Sequence, residues 1–265
     1  MKQGFLLFAF DNEEISYGQM AVWSARRISK WLSKPVSVVI NNATKDNLDR
    51  SLPGWEYSFD QIILNESVSK HTKRYVDRSL TFHNLNRVDA WELTPYEETI
   101  VIDTDLLIQS SALNKIWECN EDYIVCENSK DIFGRRNLEF EYLHDYSVKF
   151  YWATVFYFKK NEVSKLFFDY CKHIKENYNW NKYVHNLPAG PVRNDFIWSI
   201  GLHNLGYVKT IPWNIPYSTP KDTIIKIDDN SAVILGDTTV TKVSCDIHIM
   251  NKFDLMKEIK KELEI

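Results

Sequence analysis

The 265-residue chain is 44% hydrophobic and 26% charged, which is the composition of a folded protein and excludes a disordered one. Its net charge of -4 gives no overall attraction for a polyanion, so contact with nucleic acid would need a local basic patch. The four cysteines form no C-x-x-C pair and no apolar run is long enough to span a membrane, which argues against a zinc ribbon, a disulfide framework or a membrane protein and favours the cytoplasm.

The first half of the chain predicts alternating strands and helices. The apolar run at residues 4–10 predicts a buried parallel strand that ends at Asp11 and Asn12. A helix with an apolar stripe from Ala21 to Leu32 follows, and Pro35 stops it. The later elements expected in this half are strands at 36–40, 61–64 and 99–102, and a helix through Phe82, Leu85, Val88 and Trp91 that ends at Pro95. This order indicates a parallel sheet with helices on its faces.

The second half predicts a more mixed order of elements. The expected elements are a strand at 151–158, helices at 163–174 and from Asn194, short strands around Val208, Ile224 and Val233, and a last helix through Met256, Ile259 and Leu263. The chain contains no internal repeat and no low-complexity linker. We therefore expect one α/β domain, residues 1–265, with a Rossmann-like, nucleotide-binding first half.

Two carboxylates, Asp103 and Asp105, are separated by one residue and directly follow the predicted strand 99–102. In an open parallel sheet ligands bind at this edge. Together the two side chains can hold a divalent cation whose other positions are taken by phosphates, and such a cation neutralises charge on a leaving diphosphate. The alternative is a solvated acidic turn after a strand. The motif favours the metal site over that alternative.

The surroundings of this motif resemble a known family. Residues 85–105, with Arg87, the helix, the turn and the Asp-x-Asp strand, resemble glycogenin-like glycosyltransferases of the GT-A fold. The opening segment 8–12, with Phe8, Ala9, Phe10 and Asn12, resembles the strand with which that family holds uridine. The resemblance implies a GT-A-like mostly parallel sheet, a UDP-sugar donor held by residues 1–108 with Arg87, Asp103 and Thr104 as donor contacts, and an acceptor half at 109–265. Taken alone, Arg87 is equally well explained as a surface arginine.

The third metal ligand should come from late in the chain, because two carboxylates on one turn cannot surround a cation. Residues 245–252 resemble the family's late segment, in which a histidine completes the metal site and a lysine reaches the phosphates. This implies His248 as the ligand and Lys252 as the phosphate contact, with Mn²⁺ or Mg²⁺ as the ion. The family's intervening glycine is absent here and the spacing is shorter. A hydrogen-bonded structural histidine is the alternative.

Two further segments resemble parts of the family's site. The strand at 151–158 carries Thr154 where the family has small residues facing the acceptor, although a plain core strand explains most of it. Asn194 and Asp195 resemble an Asp-Gln pair at a helix start near the anomeric carbon, which implies catalytic roles for both and most of all for Asp195. Helix capping is the competing explanation. The family resemblance also implies a hexosyl- or pentosyltransferase that retains anomeric configuration.

Other functions and acceptors remain open at the level of the sequence. A nucleotidyltransferase would need a glycine-rich basic loop after the first strand, where this chain has acidic residues; a non-catalytic nucleotide-sugar or carbohydrate-binding protein is the rival from another class. The overall character of the chain also resembles small glycosyltransferases of T4-like bacteriophages, which implies hydroxymethyl- or hydroxy-cytosine in DNA as acceptor, within the host cytoplasm. A glycan or protein acceptor is the main alternative. The basic residues available for DNA are Lys70, His71, Lys73, Arg74, Arg78, Arg135 and Arg136.

Overall fold

The computed structural model of the chain describes residues 2–66, 71–74, 79–82, 85–127, 129–135, 140–144, 148–187, 192–206 and 209–265. The helices in these ranges are α1 (Tyr17–Leu32), α2 (Asn42–Ser51), α3 (Ala90–Leu93), α4 (Glu162–Glu176), α5 (Tyr178–Val184), α6 (Asn194–Leu205) and α7 (Lys252–Leu263). The strands are β1 (Gln3–Phe8), β2 (Val36–Ile40), β3 (Gln61–Leu64), β4 (His71–Arg74), β5 (Ser79–Phe82), β6 (Glu98–Ile102), β7 (Leu106–Leu107), β8 (Tyr123–Cys126), β9 (Trp152–Lys159), β10 (Tyr217–Ser218), β11 (Thr223–Ile227), β12 (Ala232–Gly236), β13 (Thr239–Val243) and β14 (Ile247–Ile249). Short 3-10 helices lie at Trp55–Ser58, Leu85–Asp89 and Ala112–Glu118.

The main sheet of the described residues has six strands in the order β3-β2-β1-β6-β9-β8. Strands β3, β2, β1 and β6 pair in parallel, and β9 runs antiparallel to both β6 and β8. Helix α1 packs on β2, α2 and α7, while α6 packs on α4 and β9. The predicted α/β class, a mostly parallel sheet flanked by helices, is confirmed.

Strand β1 forms the centre of the core because its apolar run leaves no face for solvent. Phe5, Leu6 and Leu7 are fully buried. Gly4 is the second residue of the strand, and a Cβ there would lie 2.4 Å from the Tyr96 ring, so only glycine fits beneath that ring. At the other end Ser16 caps α1 by accepting a hydrogen bond from the Gln19 backbone N–H. The chain therefore turns from β1 into α1 directly above the sheet edge.

A second, smaller sheet joins the late part of the chain to the first half. Its order is β10-β14-β7, with β14 parallel to β10 and antiparallel to β7. The Gln109 side chain fixes this arrangement by donating to the carbonyls of Val243 and Cys245, and its backbone N–H donates to Asp246 at 2.9 Å. Residues more than 130 positions apart are thus held in one register.

Most predicted elements are present, and one prediction is wrong. The strands at 36–40 and 61–64 have the predicted bounds, and the helices α1, α4 and α6 are confirmed. The segment from Phe82 to Pro95 is not one helix: Phe82 pairs with His71 in a β4–β5 hairpin, and the 3-10 helix Leu85–Asp89 precedes the short α3. Asn86, Arg87 and Val88 are all buried, so these three consecutive described residues do not alternate between core and solvent as an amphipathic helix would. The strand expected around Val208 lies outside the described residues.

None of the described helices combines the length and the apolar character needed to cross a bilayer.

Candidate active site

The candidate site lies at the carboxyl ends of β1 and β6. Strand β1 lies between β2 and β6 in the sheet. From β1 the chain continues to β2 and β3 on one side, and it then returns to place β6 on the other side of β1. This is a topological switch point, the place at which open α/β sheets bind ligands. Phe8, Ala9 and Phe10 leave β1 as buried residues, and the Ala9 N–H donates to the Val39 carbonyl at 2.9 Å. The segment predicted to hold the nucleotide therefore borders this edge.

Asp11 and Asn12 shape the loop between β1 and α1. The Asp11 carboxylate accepts hydrogen bonds from the Gly18 N–H at 2.8 Å and from the Asn47 amide at 2.6 Å. Burial raises the pKa of Asp11, and these hydrogen bonds oppose the rise. The Asn12 side-chain oxygen accepts from the backbone N–H of Ile15 at 2.9 Å. These two side chains hold the loop in place at the rim of the site.

Asp103 and Asp105 belong to a tight turn that directly follows β6. The Leu106 N–H donates to the Asp103 carbonyl at 3.0 Å, and the Asp103 N–H donates to the Thr154 carbonyl of β9 at 2.9 Å. Thr104 between them is buried. The turn leads into β7, so both carboxylates are fixed by backbone hydrogen bonds on each side.

His248 reaches this turn through the pairing of β14 with β7. His248 lies opposite Leu106 in that register, and the Ile249 N–H donates to the Asp105 carbonyl at 3.0 Å. The imidazole Nε2 lies 3.4 Å from one oxygen of Asp105 and 4.0 Å from one oxygen of Asp103. The structure thus brings together the three side chains that the sequence analysis assigned to a metal.

The three side chains have the composition and spacing of a cation site. One ligand atom from each lies within 4.8 Å of the other two. The distances from Nε2 of His248 to the two carboxylates, 3.4 and 4.0 Å, are longer than ordinary hydrogen bonds. Two ligand atoms that each lie about 2.1 Å from one cation are roughly 3 Å apart, and the observed distances approach that value. Carboxylate oxygens and imidazole nitrogens are ligands that divalent cations take in proteins. The residues present therefore fit a divalent metal.

Two cationic side chains face the carboxylates. Arg87 forms an ion pair with Asp103 and also donates to the Ala153 carbonyl at 3.0 Å, while Lys252, the first residue of α7, forms an ion pair with Asp105. Burial raises the pKa of Asp105, but Lys252 and His248 together lower it by more than burial raises it. The net pKa therefore lies well below the ordinary value. The Asp105 carboxylate is therefore charged, and each of the two carboxylates is paired with a cationic side chain.

Tyr17, which no sequence pattern singled out, influences both cations electrostatically. Burial lowers the pKa of Arg87, and the charges of Asp105, Asp195 and Tyr17 oppose that change. Burial also lowers the pKa of Lys252, but Asp105 and Tyr17 outweigh it and the net pKa is raised. Tyr17 is the first residue of α1. Its place just after the β1 loop is the signal that could have identified it.

Asp195 enters the site through strand β9. One carboxylate oxygen accepts from the Ala153 N–H at 2.9 Å and the other from Arg193 at 2.9 Å. Asn194 is buried and is the first residue of α6, whose N-cap is Arg193 without a side-chain capping bond. The N-cap explanation for Asn194 is therefore wrong, because Arg193 is the N-cap. Asp195 does lie in the first turn of α6, where a negative charge favours the helix, and it also contacts β9.

Of the basic residues considered for DNA, Arg135 is the one whose side chain the structure describes. Arg135 donates to Asp131 at 3.0 Å and to Asp222 at 2.7 Å, two carboxylates that are nearly fully buried. Its guanidinium is therefore engaged by carboxylates of the protein itself. Lys70, Arg78 and Arg136 lie outside the described residues, and only the backbone of His71, Lys73 and Arg74 is described.

Comparison with known proteins yields structural likenesses only. No protein-family model matches the chain, and no curated protein matches it. Among solved structures, galactosyltransferase LgtC in complex with donor and acceptor sugar analogs is 14% identical, with a TM-score of 0.48 over 78% of this chain and 72% of that one. Glycosyltransferase GlyE from Streptococcus pneumoniae TIGR4 is 9% identical, with a TM-score of 0.48 over 80% of this chain and 46% of that one. At these values the likeness assigns no function, and the chemistry has to come from the residues of the cleft.

Proposed function

We propose that the protein is a metal-dependent glycosyltransferase of the GT-A type that transfers a sugar from a UDP-sugar to a hydroxyl acceptor. The observation that carries the proposal is the cluster of Asp103, Asp105 and His248 at the topological switch point. A cation site there, with Arg87 and Lys252 beside it, has the charges that a nucleotide diphosphate requires.

Each group of residues has a role in this proposal. Asp103, Asp105 and His248 would hold Mn²⁺ or Mg²⁺, which when bound neutralises charge on the diphosphate leaving group. Arg87 and Lys252 contact the phosphates. Phe8, Ala9, Phe10, Asn12 and Thr104 border the nucleotide. On this assignment residues 1–108 supply most of the donor site, and residues 109–265 supply His248, Lys252 and the acceptor side.

Asp195, with Asn194 beside it, is the proposed catalytic residue on the sugar side. Its carboxylate is held by the Ala153 N–H and by Arg193, so its position is set before substrate arrives. A fixed negative charge there stabilises an oxocarbenium-like sugar and orients the acceptor hydroxyl. We propose a retaining transfer, hexosyl or pentosyl, which the anomeric proton signals of the product would report.

The proposed acceptor is hydroxymethyl- or hydroxy-cytosine in DNA, which places the enzyme in the cytoplasm. Its support is the resemblance given above and the β4–β5 hairpin, whose first strand carries Lys73 and Arg74 and which precedes Arg87 in the chain. Arg135 gives no support, since two carboxylates engage it. Incubation with UDP-sugar and either modified DNA or glycan and protein acceptors separates this proposal from its alternative. Sugar on the glycan or protein and none on DNA would contradict it.

A panel of UDP-sugars tests the enzyme class itself. We expect release of sugar from at least one donor in the presence of Mn²⁺ or Mg²⁺, and loss of that release with EDTA or with Asp105→Asn. A non-catalytic nucleotide-sugar-binding protein would bind UDP and release no sugar from any donor, and that result would refute the proposal.

A further inference from the structure

We propose that Thr154 is a positioning residue that orients His248 for metal binding. This inference rests on the proposed metal-dependent function. Thr154 lies in β9, and its hydroxyl oxygen is 3.3 Å from Nδ1 of His248. Among the described side chains it is the hydrogen-bond partner of the Nδ1 atom of that imidazole. Both residues are almost completely buried, so water does not replace this contact.

The contact determines which ring nitrogen faces the carboxylates. Nε2 points toward Asp103 and Asp105, while Nδ1 points to Thr154. When Nε2 binds a cation the proton must be on Nδ1, and the hydroxyl oxygen accepts it in a hydrogen bond. Histidine ligands of metals generally have such a partner on the second nitrogen, which fixes the ring and strengthens the ligand.

Strand β9 connects this contact to the rest of the site. The Thr154 carbonyl accepts from the Asp103 backbone N–H at 2.9 Å, so one residue contacts two of the three residues of the cluster by different atoms. The indole ring of Trp152 meets the imidazole edge-on, with ring centroids 6.0 Å apart, and provides an apolar wall. The apolar wall limits ring movement only, whereas the hydroxyl can also accept the Nδ1 proton of the tautomer whose Nε2 is free to bind a cation.

Two substitutions separate the hydroxyl from the methyl group of Thr154. Thr154→Val keeps the shape and removes the hydroxyl, whereas Thr154→Ser keeps the hydroxyl and removes the methyl. The measurement is the Kd of Mn²⁺, by electron paramagnetic resonance, for the purified protein saturated with UDP. Thermal unfolding midpoints are measured in parallel, and Thr154→Ala provides a second variant without the hydroxyl if the valine protein does not fold.

We expect the valine and alanine variants to bind Mn²⁺ about 10- to 100-fold more weakly and the serine variant to bind as the wild type does. The opposite order, with valine unchanged and serine weakened, would show that Thr154 only fills space and would overturn the inference. Equal affinity in all variants would overturn it as well. A wild-type protein that binds no Mn²⁺ with UDP would instead refute the metal site itself.

Discussion

Replacing Lys252 by methionine should change metal binding and nucleotide binding in opposite directions. In the structure Lys252 and Arg87 pair with Asp105 and Asp103, so the two carboxylates are already neutralised. A divalent cation that enters alone meets these positive charges. When a diphosphate enters with it, Lys252 can contact phosphate instead, and the site is again close to neutral. We therefore expect the metal to bind more tightly with UDP than without it.

The size of the effect follows from the charges. A unit charge and a divalent cation about 5 Å apart repel by roughly 7 kcal/mol at an effective dielectric constant of 20, an upper bound because the lysine stem can swing toward solvent. We expect Lys252→Met to bind Mn²⁺ alone about tenfold more tightly, a change of about 1.4 kcal/mol. The same variant loses a charge-assisted contact to phosphate, so UDP affinity in the presence of Mn²⁺ should fall about 10- to 100-fold.

Calorimetry with Mn²⁺ alone, and with UDP in saturating Mn²⁺, measures both changes. Lys257→Met is the matched control, because Lys257 lies on the same helix and pairs with Asp254 at 2.6 Å on the surface. The control should leave both affinities unchanged. Two results would contradict this reasoning. If Lys252→Met binds Mn²⁺ no more tightly than the wild type, Lys252 does not oppose binding of the lone cation; if it binds UDP equally well, Lys252 does not contact the phosphates.

Three further predictions test the site and the fold. Asp195→Asn should bind UDP normally and lose transfer, because the carboxylate held by Ala153 and Arg193 loses its charge while its shape is kept; normal turnover would remove it from catalysis. Arg135→Ala should lower the free energy of unfolding by about 3 kcal/mol, and so lower the Tm by about 6–12 °C. This is the low end for a broken buried ion pair, because the arginine side chain is 32% exposed. An unchanged melting curve would contradict this prediction. Burial raises the pKa of Cys126 to about 12 and also raises that of Cys171, so iodoacetamide at pH 8 should label exposed Cys245 and spare both until denaturant is added; early labelling of Cys126 would contradict the fold.

The sequence was most informative where a strand is a short, mostly apolar run. The strands at 36–40 and 61–64 were predicted with their observed bounds; the first is buried along its length, and the second is a largely exposed edge strand. The carboxylates of Asp103 and Asp105 followed from their place at the end of such a run. The early part of the sheet and two of the three residues of the candidate metal cluster were therefore available from local pattern alone.

The remaining features depend on contacts between distant parts of the chain. Strands β7 and β14 have two and three residues, too few for any periodic pattern, yet their pairing sets His248 beside Asp105. His248 was selected through a family resemblance and not through periodicity. Thr154 was also selected through the resemblance, for the acceptor side, and no residue near it in sequence indicates its contact with an imidazole 94 positions away.

Local pattern also failed where buried polar groups replace an amphipathic stripe. The segment at Leu85–Leu93 has helical spacing of apolar residues, but it buries Asn86 and Arg87 as well and divides into a 3-10 and a short α-helix. Arg135 looked like part of a basic surface and is instead the partner of two buried carboxylates. In both cases a tertiary ion pair or buried contact overrides the local preference.

Anomalous diffraction from crystals grown with Mn²⁺ and UDP tests the central claim most directly. The proposal predicts a manganese peak bonded to carboxylate oxygens of Asp103 and Asp105, to Nε2 of His248 and to oxygens of the UDP diphosphate. Bound UDP with no manganese at these three side chains, or manganese held at another place in the molecule, would contradict it.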